Sequence, residues 1–217
     1  MNRAPLLAGV PLVAGHASDA PFAITRAGPI SLAQFLGDVE RTAARLPAHG
    51  HVFNVCADRY RFTVGFAAAL CRGQVSLLPP MRTADFLGRL AARYPSTYCL
   101  ADEPLPEATP FETVTLDLRE SAPGGPLPAF APDQVAAISF TSGSTGEPTP
   151  HVKRWGTLAL GAAAEAAALG LDTLDAPALV GTVPPQHMYG FESTVLLALH
   201  GGCRLAAARP FYPLDVR

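Results

Sequence analysis

The sequence has 217 residues, of which 49% are hydrophobic and 16% are charged, and its formal net charge is −2. This composition provides enough apolar material for a buried core, and the scattered arginines argue against nucleic acid as a partner. No uninterrupted apolar run reaches the roughly 18 residues that a membrane-spanning helix needs, so we expect no membrane span.

The N-terminal part of the chain predicts an irregular start, a hairpin and a helix. Residues 1–20 contain an apolar stretch, but prolines and glycines interrupt it, which is unlike a secretory signal. Residues 21–30 predict two short β-type segments around a turn. Ser31 followed three positions later by Gln34 forms a capping box, which predicts a helix through about Leu46.

The next segments alternate between strand and helix patterns. Predicted strands lie at 51–57, 74–80, 97–102 and 113–118, and predicted helices lie at 61–73 and 83–95. Alternation of this kind is typical of a parallel sheet with helices packed on it. We therefore predict an α/β fold with a layered, mostly parallel sheet and helices on both faces.

A stretch rich in proline and glycine, residues 119–134, predicts a surface linker between a first segment (1–118) and a second segment (135–217). The second segment starts with a predicted strand at 135–140 and a loop rich in hydroxyl groups. Predicted helices at about 157–170 and 191–200 then alternate with strands at 178–183 and 203–208. Both segments are expected to form parts of one α/β body.

The hydroxyl-rich loop has the composition of a phosphate-binding loop. Six consecutive residues combine glycines, which let the backbone turn its N–H groups toward one anion, with hydroxyl donors: Thr141, Ser142, Gly143, Ser144, Thr145 and Gly146. Lys153, the only lysine in the chain, can supply a balancing positive charge. The spacing matches neither a Walker A loop nor a nucleophile elbow, and an ordinary turn is the alternative.

The segment "FTSGSTGEPTPHVK" resembles the phosphate-binding signature T-S-G-[ST]-T-G-x-P-K-G of the adenylate-forming (AMP-binding) superfamily, which includes acyl-CoA and aryl-CoA synthetases. Thr149 and Pro150 stand where the signature has lysine and glycine. The resemblance implies that residues 141–146 bind the phosphates of ATP. Lys153, four residues later on an expected flexible loop, would assist catalysis because its long side chain can reach the same phosphates.

A second motif follows in the same order as in that superfamily. The segment "VPPQHMYGFESTVLLALHGGCRL" resembles the loop and helix that border the pocket of the carboxylate substrate. The resemblance implies that His187 lies near the acyl carboxylate as a catalytic residue. It also implies that Tyr189, Gly190 and Phe191 shape the walls of the pocket.

The resemblance implies an acid–thiol ligase that uses ATP and Mg²⁺ to form an acyl-adenylate from a small carboxylic acid. The acceptor would be the thiol of coenzyme A or of the phosphopantetheine on an acyl carrier protein. The superfamily's adenine, ribose and hinge motifs do not occur in the sequence, so we expect the N-terminal part of an AMP-binding domain that is inactive alone. The alternatives are a non-catalytic phosphate- or nucleotide-binding module and a subunit of a split enzyme.

The cysteines and histidines indicate neither disulfides nor a metal site. Cys56, Cys71, Cys99 and Cys203 are irregularly spaced and form no C-x-x-C pair. Such spacing favours buried, reduced thiols in a cytoplasmic protein.

Overall fold

A computed structural model describes residues 9–16, 21–105, 109–118, 123–141, 149–208 and 210. The strands are β1 (Val10–Pro11), β2 (Pro21–Thr25), β3 (Gly28–Ser31), β4 (His51–Asn54), β5 (Val75–Leu78), β6 (Thr97–Ala101), β7 (Glu112–Thr115), β8 (Ala129–Phe130), β9 (Val135–Thr141), β10 (Thr149–Arg154), β11 (Ala178–Leu179) and β12 (Arg204–Ala206). The helices are α1 (Leu32–Arg45), α2 (Arg59–Cys71), α3 (Ala84–Arg93), α4 (Trp155–Ala168), α5 (Met188–Gly190) and α6 (Leu197–His200), with a 3₁₀ turn at Leu171–Thr173 and a π-helical segment at Phe191–Leu196.

The strands form two main sheets. The larger sheet has the order β10-β9-β5-β4-β6-β7, and every neighbouring pair except β10-β9 is parallel. The smaller sheet has the order β11-β12-β2-β3, and only β2-β3 is antiparallel. The predicted α/β fold with mostly parallel strands is therefore confirmed, but its strands are divided between these two sheets and a separate antiparallel pair, β1-β8.

Helices cover both faces of the larger sheet because its strands alternate apolar side chains between two cores. Val52 on β4 and Tyr98 on β6 face the main core, which also contains residues from α1, α2 and α4. Their neighbours Phe53 and Cys99 face the opposite way, into a second core that α3 closes. Because successive side chains of each strand point to opposite faces, helices pack on both faces and the sheet is the middle one of three layers.

Helix α2 is the central element of the main core. It contacts β4 and β5 of the larger sheet and β12 of the smaller sheet, and nearly all of its side chains are buried. A helix that is apolar around its whole circumference is expected only where neighbours surround it. Asp58 begins the helix, since its carboxylate accepts a hydrogen bond from the backbone N–H of Arg61 at 2.9 Å.

The predicted helix starts agree with the structure where a side chain caps the helix with a hydrogen bond. Ser31 and Gln34 form both hydrogen bonds of the capping box at the start of α1. Thr83 accepts a hydrogen bond from the backbone N–H of Phe86 at the start of α3. The predicted start of α4 at Thr157 is two residues late, because β10 runs directly into the helix at Trp155.

The proline- and glycine-rich linker does not separate two bodies. Strand β9, which follows it, pairs with β5 from the first segment, and β8 within it pairs with β1. In the part of the linker that the structure describes, the backbone N–H of Gly124 donates to the carbonyl of Ala33 at 2.9 Å. The helices among the described residues include none that is long and apolar enough to cross a membrane.

Candidate functional site

The phosphate-loop prediction falls at the carboxyl end of strand β9. Thr141 is the last residue of that strand, and its side chain is exposed. In parallel α/β sheets, ligands bind at this edge, outside the carboxyl ends of the strands. Ser142, Gly143, Ser144, Thr145 and Gly146 lie outside the described residues, so their role in binding phosphate stays a prediction.

Strand β10 returns from the loop and pairs with β9 in antiparallel register. Thr149 lies opposite Thr141, and His151 lies opposite Ser139. The Nε2 atom of His151 is 3.1 Å from the Oγ1 atom of Thr141, within hydrogen-bonding distance. A histidine therefore contacts the residue from which the predicted phosphate loop begins.

The prediction that Lys153 lies on a flexible loop is wrong, because Lys153 is part of β10 and lies opposite Ala137. Lys153 is four residue steps along the strand from Thr149, which corresponds to roughly 13 Å. Its backbone position is thus remote from Thr141. The catalytic role assigned to Lys153 stays a prediction.

His187 lies in a loop that is fixed by its own backbone hydrogen bonds. The backbone N–H of His187 donates to the Pro184 carbonyl at 3.2 Å, and its carbonyl accepts from the N–H of Phe191 at 2.8 Å. The imidazole makes no capping hydrogen bond to α5 and is exposed. The predicted catalytic side chain is therefore held by its backbone and accessible to a ligand.

Two further hydrogen bonds attach the loop of His187 to the segment from the end of β4 to the start of α2. The side-chain Nε2 of Gln186 donates to the backbone carbonyl of Cys56 at 2.6 Å. The guanidinium of Arg59 donates from Nη2 to the backbone carbonyl of Val183 at 2.8 Å. Both Gln186 and Arg59 are buried, so these bonds are shielded from competing water.

The two predicted site segments therefore lie at the same edge of the larger sheet. Strand β5 alone separates β9 from β4 in the sheet. Two strand spacings amount to roughly 10 Å between the strand ends that carry these segments. A nucleotide and an acid bound at these two segments would have to extend toward each other, because reacting atoms must approach to about 3–3.5 Å.

The remaining predicted pocket residues have different environments. Tyr189 is 70% exposed and lines a cavity of about 190 Å³ together with residues such as Thr182 and Thr194. Gly190 is required by close packing, because a methyl group there would collide with the carbonyl oxygen of Pro184. Phe191 is fully buried, so its side chain is a core residue in this structure.

The aromatic contacts of Phe191 confirm its position in the core. Its ring packs edge-on against Phe62 at 6.4 Å and Phe66 at 4.9 Å between centroids. Both partners belong to α2. Phe191 thus joins the helix behind the His187 loop to the central helix, and its role as a pocket wall stays a prediction.

Two titratable groups beneath the site, Cys56 and Asp58, have raised pKa values because they are buried. Burial raises the pKa of the Cys56 thiol well above its ordinary value, and the nearby Asp102 carboxylate adds to the effect. Burial also raises the pKa of Asp58. A thiol with a raised pKa is a poor nucleophile, so Cys56 contributes its carbonyl oxygen to the site instead of its sulfur.

Sequence patterns missed three residues whose side chains contact the predicted site segments: His151, Gln186 and Arg59. The register of β10 that brings His151 to Thr141 depends on a hairpin that the sequence did not predict. Gln186 and Arg59 each contact a residue more than 100 positions away in the sequence. The hydrophobic periodicity of a single sequence gives no information about such distant pairs. Among the described residues, no group of three or more histidine, cysteine, aspartate or glutamate side chains could hold a metal ion.

The fold of the chain also occurs in solved structures of longer proteins. The fold is similar to o-succinylbenzoate CoA synthetase from Bacillus subtilis in complex with ATP and magnesium ion, with a TM-score of 0.70 and 16% identity over 89% of this chain and 55% of that chain. It is also similar to the N-terminal subdomain of NpsA from Klebsiella oxytoca in complex with 3-hydroxybenzoyl-AMSN. The TM-score is 0.67, and the identity is 17% over 91% of this chain and 52% of that chain. A third similar structure is a malonyl-CoA ligase with methylmalonyl-CoA and AMP bound. Its TM-score is 0.71, and the identity is 23% over 93% of this chain and 44% of that chain.

These similarities establish the shared fold, and the chain spans about half the length of the solved structures that it matches. No curated protein sequence matches the chain. The sequence profile of one family, described as AMP-binding enzyme, matches residues 91–217, which is more than half of the chain. The chain therefore belongs to the family of AMP-binding enzymes.

Proposed function

We propose that the chain is the N-terminal part of an acid–thiol ligase that activates a small carboxylic acid with ATP and transfers the acyl group to a thiol. The observation that carries this proposal is the position of two segments at the same sheet edge. The predicted phosphate loop starts at Thr141 on β9, and the loop of His187 is attached at Cys56 after β4. This arrangement suits a reaction between a phosphate and an acyl carboxylate.

In the first half-reaction, a carboxylate oxygen of the acid attacks the α-phosphorus of ATP. The bond between the α-phosphorus and the bridging oxygen breaks, so pyrophosphate leaves and an acyl-adenylate remains. The protein's task is mainly to position the reactants and to stabilise the charge on the phosphate oxygens. Residues 141–146 would bind the β- and γ-phosphates through backbone N–H groups and hydroxyls, and Mg²⁺ would neutralise part of the charge.

In the second half-reaction, a thiol sulfur attacks the acyl carbonyl carbon and releases AMP, while the thiol proton is lost to solvent or base. The thiol would belong to coenzyme A or to the phosphopantetheine of an acyl carrier protein. His187 would lie beside the acyl carboxylate, since its side chain is exposed at the loop attached to β4.

The solved structures that share the fold support this proposal. They include o-succinylbenzoate CoA synthetase from Bacillus subtilis in complex with its acyl-adenylate intermediate and a malonyl-CoA ligase with AMP bound. The present chain spans about half the length of such proteins. We therefore expect that it does not catalyse adenylation alone, because the residues that would hold adenine and ribose would have to come from further polypeptide.

The test is acid-dependent exchange of radiolabelled pyrophosphate into ATP. The polypeptide encoded by the complete reading frame and the 217-residue chain would be assayed with MgATP and a panel of aliphatic and aromatic acids. We expect exchange with at least one acid for the complete polypeptide and none for the chain alone. MgATP binding without exchange for any acid would instead support a non-catalytic nucleotide-binding module.

A further inference from the structure

The hairpin of β9 and β10 brings an imidazole to the start of the predicted phosphate loop. His151 lies opposite Ser139, so Thr141 is its diagonal neighbour on the same face of the hairpin. The two exposed side chains approach to 3.1 Å between Nε2 and Oγ1. The contact is built by the strand register, since every residue from Thr149 to Lys153 is paired with β9.

The hydrogen-bonding capacity of the two groups favours His151 as the donor and Thr141 as the acceptor. A threonine hydroxyl has one hydrogen to donate and can accept two hydrogen bonds. When the Nε2–H of His151 donates to Oγ1 of Thr141, the hydroxyl keeps its own hydrogen for an anion. The imidazole would thus hold the hydroxyl of Thr141 in the orientation that a phosphate oxygen requires.

The other basic residues of β10 lie toward the opposite end of the strand. Lys153 is paired with Ala137, and the guanidinium of Arg154 donates to the backbone carbonyl of Asp133 at 2.7 Å. Thr149, which stands at the lysine position of the phosphate-binding signature, carries no positive charge. His151 is thus the basic side chain of this strand that contacts Thr141.

We propose that His151 is a positioning residue for the phosphates of ATP, which it serves by orienting the hydroxyl of Thr141. In this chain it takes over part of the task that the signature assigns to a lysine after the loop. The inference rests on the proposed function, because it requires that the loop beginning at Thr141 binds the nucleotide.

A double-mutant cycle tests this role. MgATP binding to the complete polypeptide would be measured by isothermal titration calorimetry for the wild type, His151→Ala, Thr141→Ala and the double variant. We expect each single substitution to raise the Kd about tenfold: Thr141→Ala removes the proposed hydrogen bond to the charged phosphate, and His151→Ala removes the contact that orients it. Since His151 acts through Thr141, the double variant should bind little more weakly than either single variant, instead of about a hundredfold more weakly.

Two further variants separate positioning from a general loss of folding. His151→Gln keeps a side-chain donor and should bind MgATP within about threefold of the wild type. Arg154→Ala removes a positive charge from the far end of the same strand and should leave the Kd unchanged. Thermal unfolding would verify that all variants fold.

The outcomes distinguish this inference from the proposed function. A wild-type polypeptide that does not bind MgATP would overturn both. Wild-type binding together with an unaltered Kd for His151→Ala, or with fully additive effects in the double variant, would overturn only the role of His151. Weak binding by His151→Gln, equal to that of His151→Ala, would also overturn it.

Discussion

Gln186 donates a hydrogen bond of 2.6 Å to the backbone carbonyl of Cys56, and this bond attaches the loop of His187 to the larger sheet. The two residues are 130 positions apart in the sequence, and both are buried. The position of the His187 loop relative to the larger sheet therefore depends in part on one buried amide, together with the bond from Arg59 to Val183. This dependence can be measured.

Replacing Gln186 with alanine should destabilise the protein by about 1–3 kcal/mol, because the buried carbonyl of Cys56 loses its partner. In the complete polypeptide, the substitution should also lower kcat/KM for the acid more than it raises the KM for ATP, since the loop of His187 would shift. Gln74 is the matched control: it is buried and donates to the Pro47 carbonyl at 2.7 Å, on another part of the chain. If Gln74→Ala changes acid kinetics as much as Gln186→Ala, the effect is one of stability alone.

Gly190→Ala should destabilise the protein by about 1–3 kcal/mol, because the added methyl group meets backbone atoms of Pro184 and Val183 that cannot move independently. Urea denaturation measures the change. Gly161→Ala provides the control, since Gly161 lies in α4 with open space around its Cα, and alanine there should raise stability by about 0.5–1 kcal/mol. Equal effects of the two substitutions would contradict the packing argument.

Stability should fall as the pH is lowered from about 6.5 toward 4, because His200 is buried against Trp155 at 5.1 Å between ring centroids. Burial and the neighbouring His16 lower the pKa of His200 from 6.5 to about 4. In this range the unfolded chain binds the proton more readily than the folded chain does, so protonation favours unfolding.

The loss attributable to His200 should be at most about 3 kcal/mol, given 1.36 kcal/mol for each pKa unit. Urea denaturation at several pH values measures it. His200→Phe keeps a ring beside Trp155 but removes the titrating group, so its stability should decline less steeply over the same pH range. An unchanged slope would show that other groups control the pH dependence.

Asp102→Ala should destabilise the turn after β4 by about 2–4 kcal/mol. The carboxylate of Asp102 accepts hydrogen bonds from the backbone N–H groups of Ala57 and Asp58, each at 2.9 Å, and bonds to a charged acceptor are stronger than neutral ones. Hydrogen exchange of these two amides should also accelerate in the variant. The exposed neighbour Glu103 is the control, and Glu103→Ala should change neither quantity.

The sequence was informative where local chemistry determines local structure. Ser31 and Gln34 define the start of α1, and the same reasoning places the cap of α3 at Thr83. The alternation of strands and helices predicted a mostly parallel α/β fold, because amphipathic periodicity reflects which faces are buried.

Sequence reasoning failed where long-range pairing decides the structure. Strand β10 contains Pro150 and three basic residues, which reads as a loop. Such a sequence is compatible with a strand at the edge of a sheet, where proline does not interrupt pairing on both sides. The same hairpin register brings His151 to Thr141, so missing the strand also concealed this contact.

The pairing of β2 with β12 has a consequence for synthesis of the chain on the ribosome. Strand β2 ends at Thr25, but its parallel partner begins only at Arg204. At 5–20 residues per second, roughly 9–36 s pass between the two. During this interval Phe22 and Ala23, which are fully buried in the finished protein, lack the partner strand that helps to cover them. The nascent chain therefore presents an apolar hairpin that a chaperone could bind before translation reaches the end of β12.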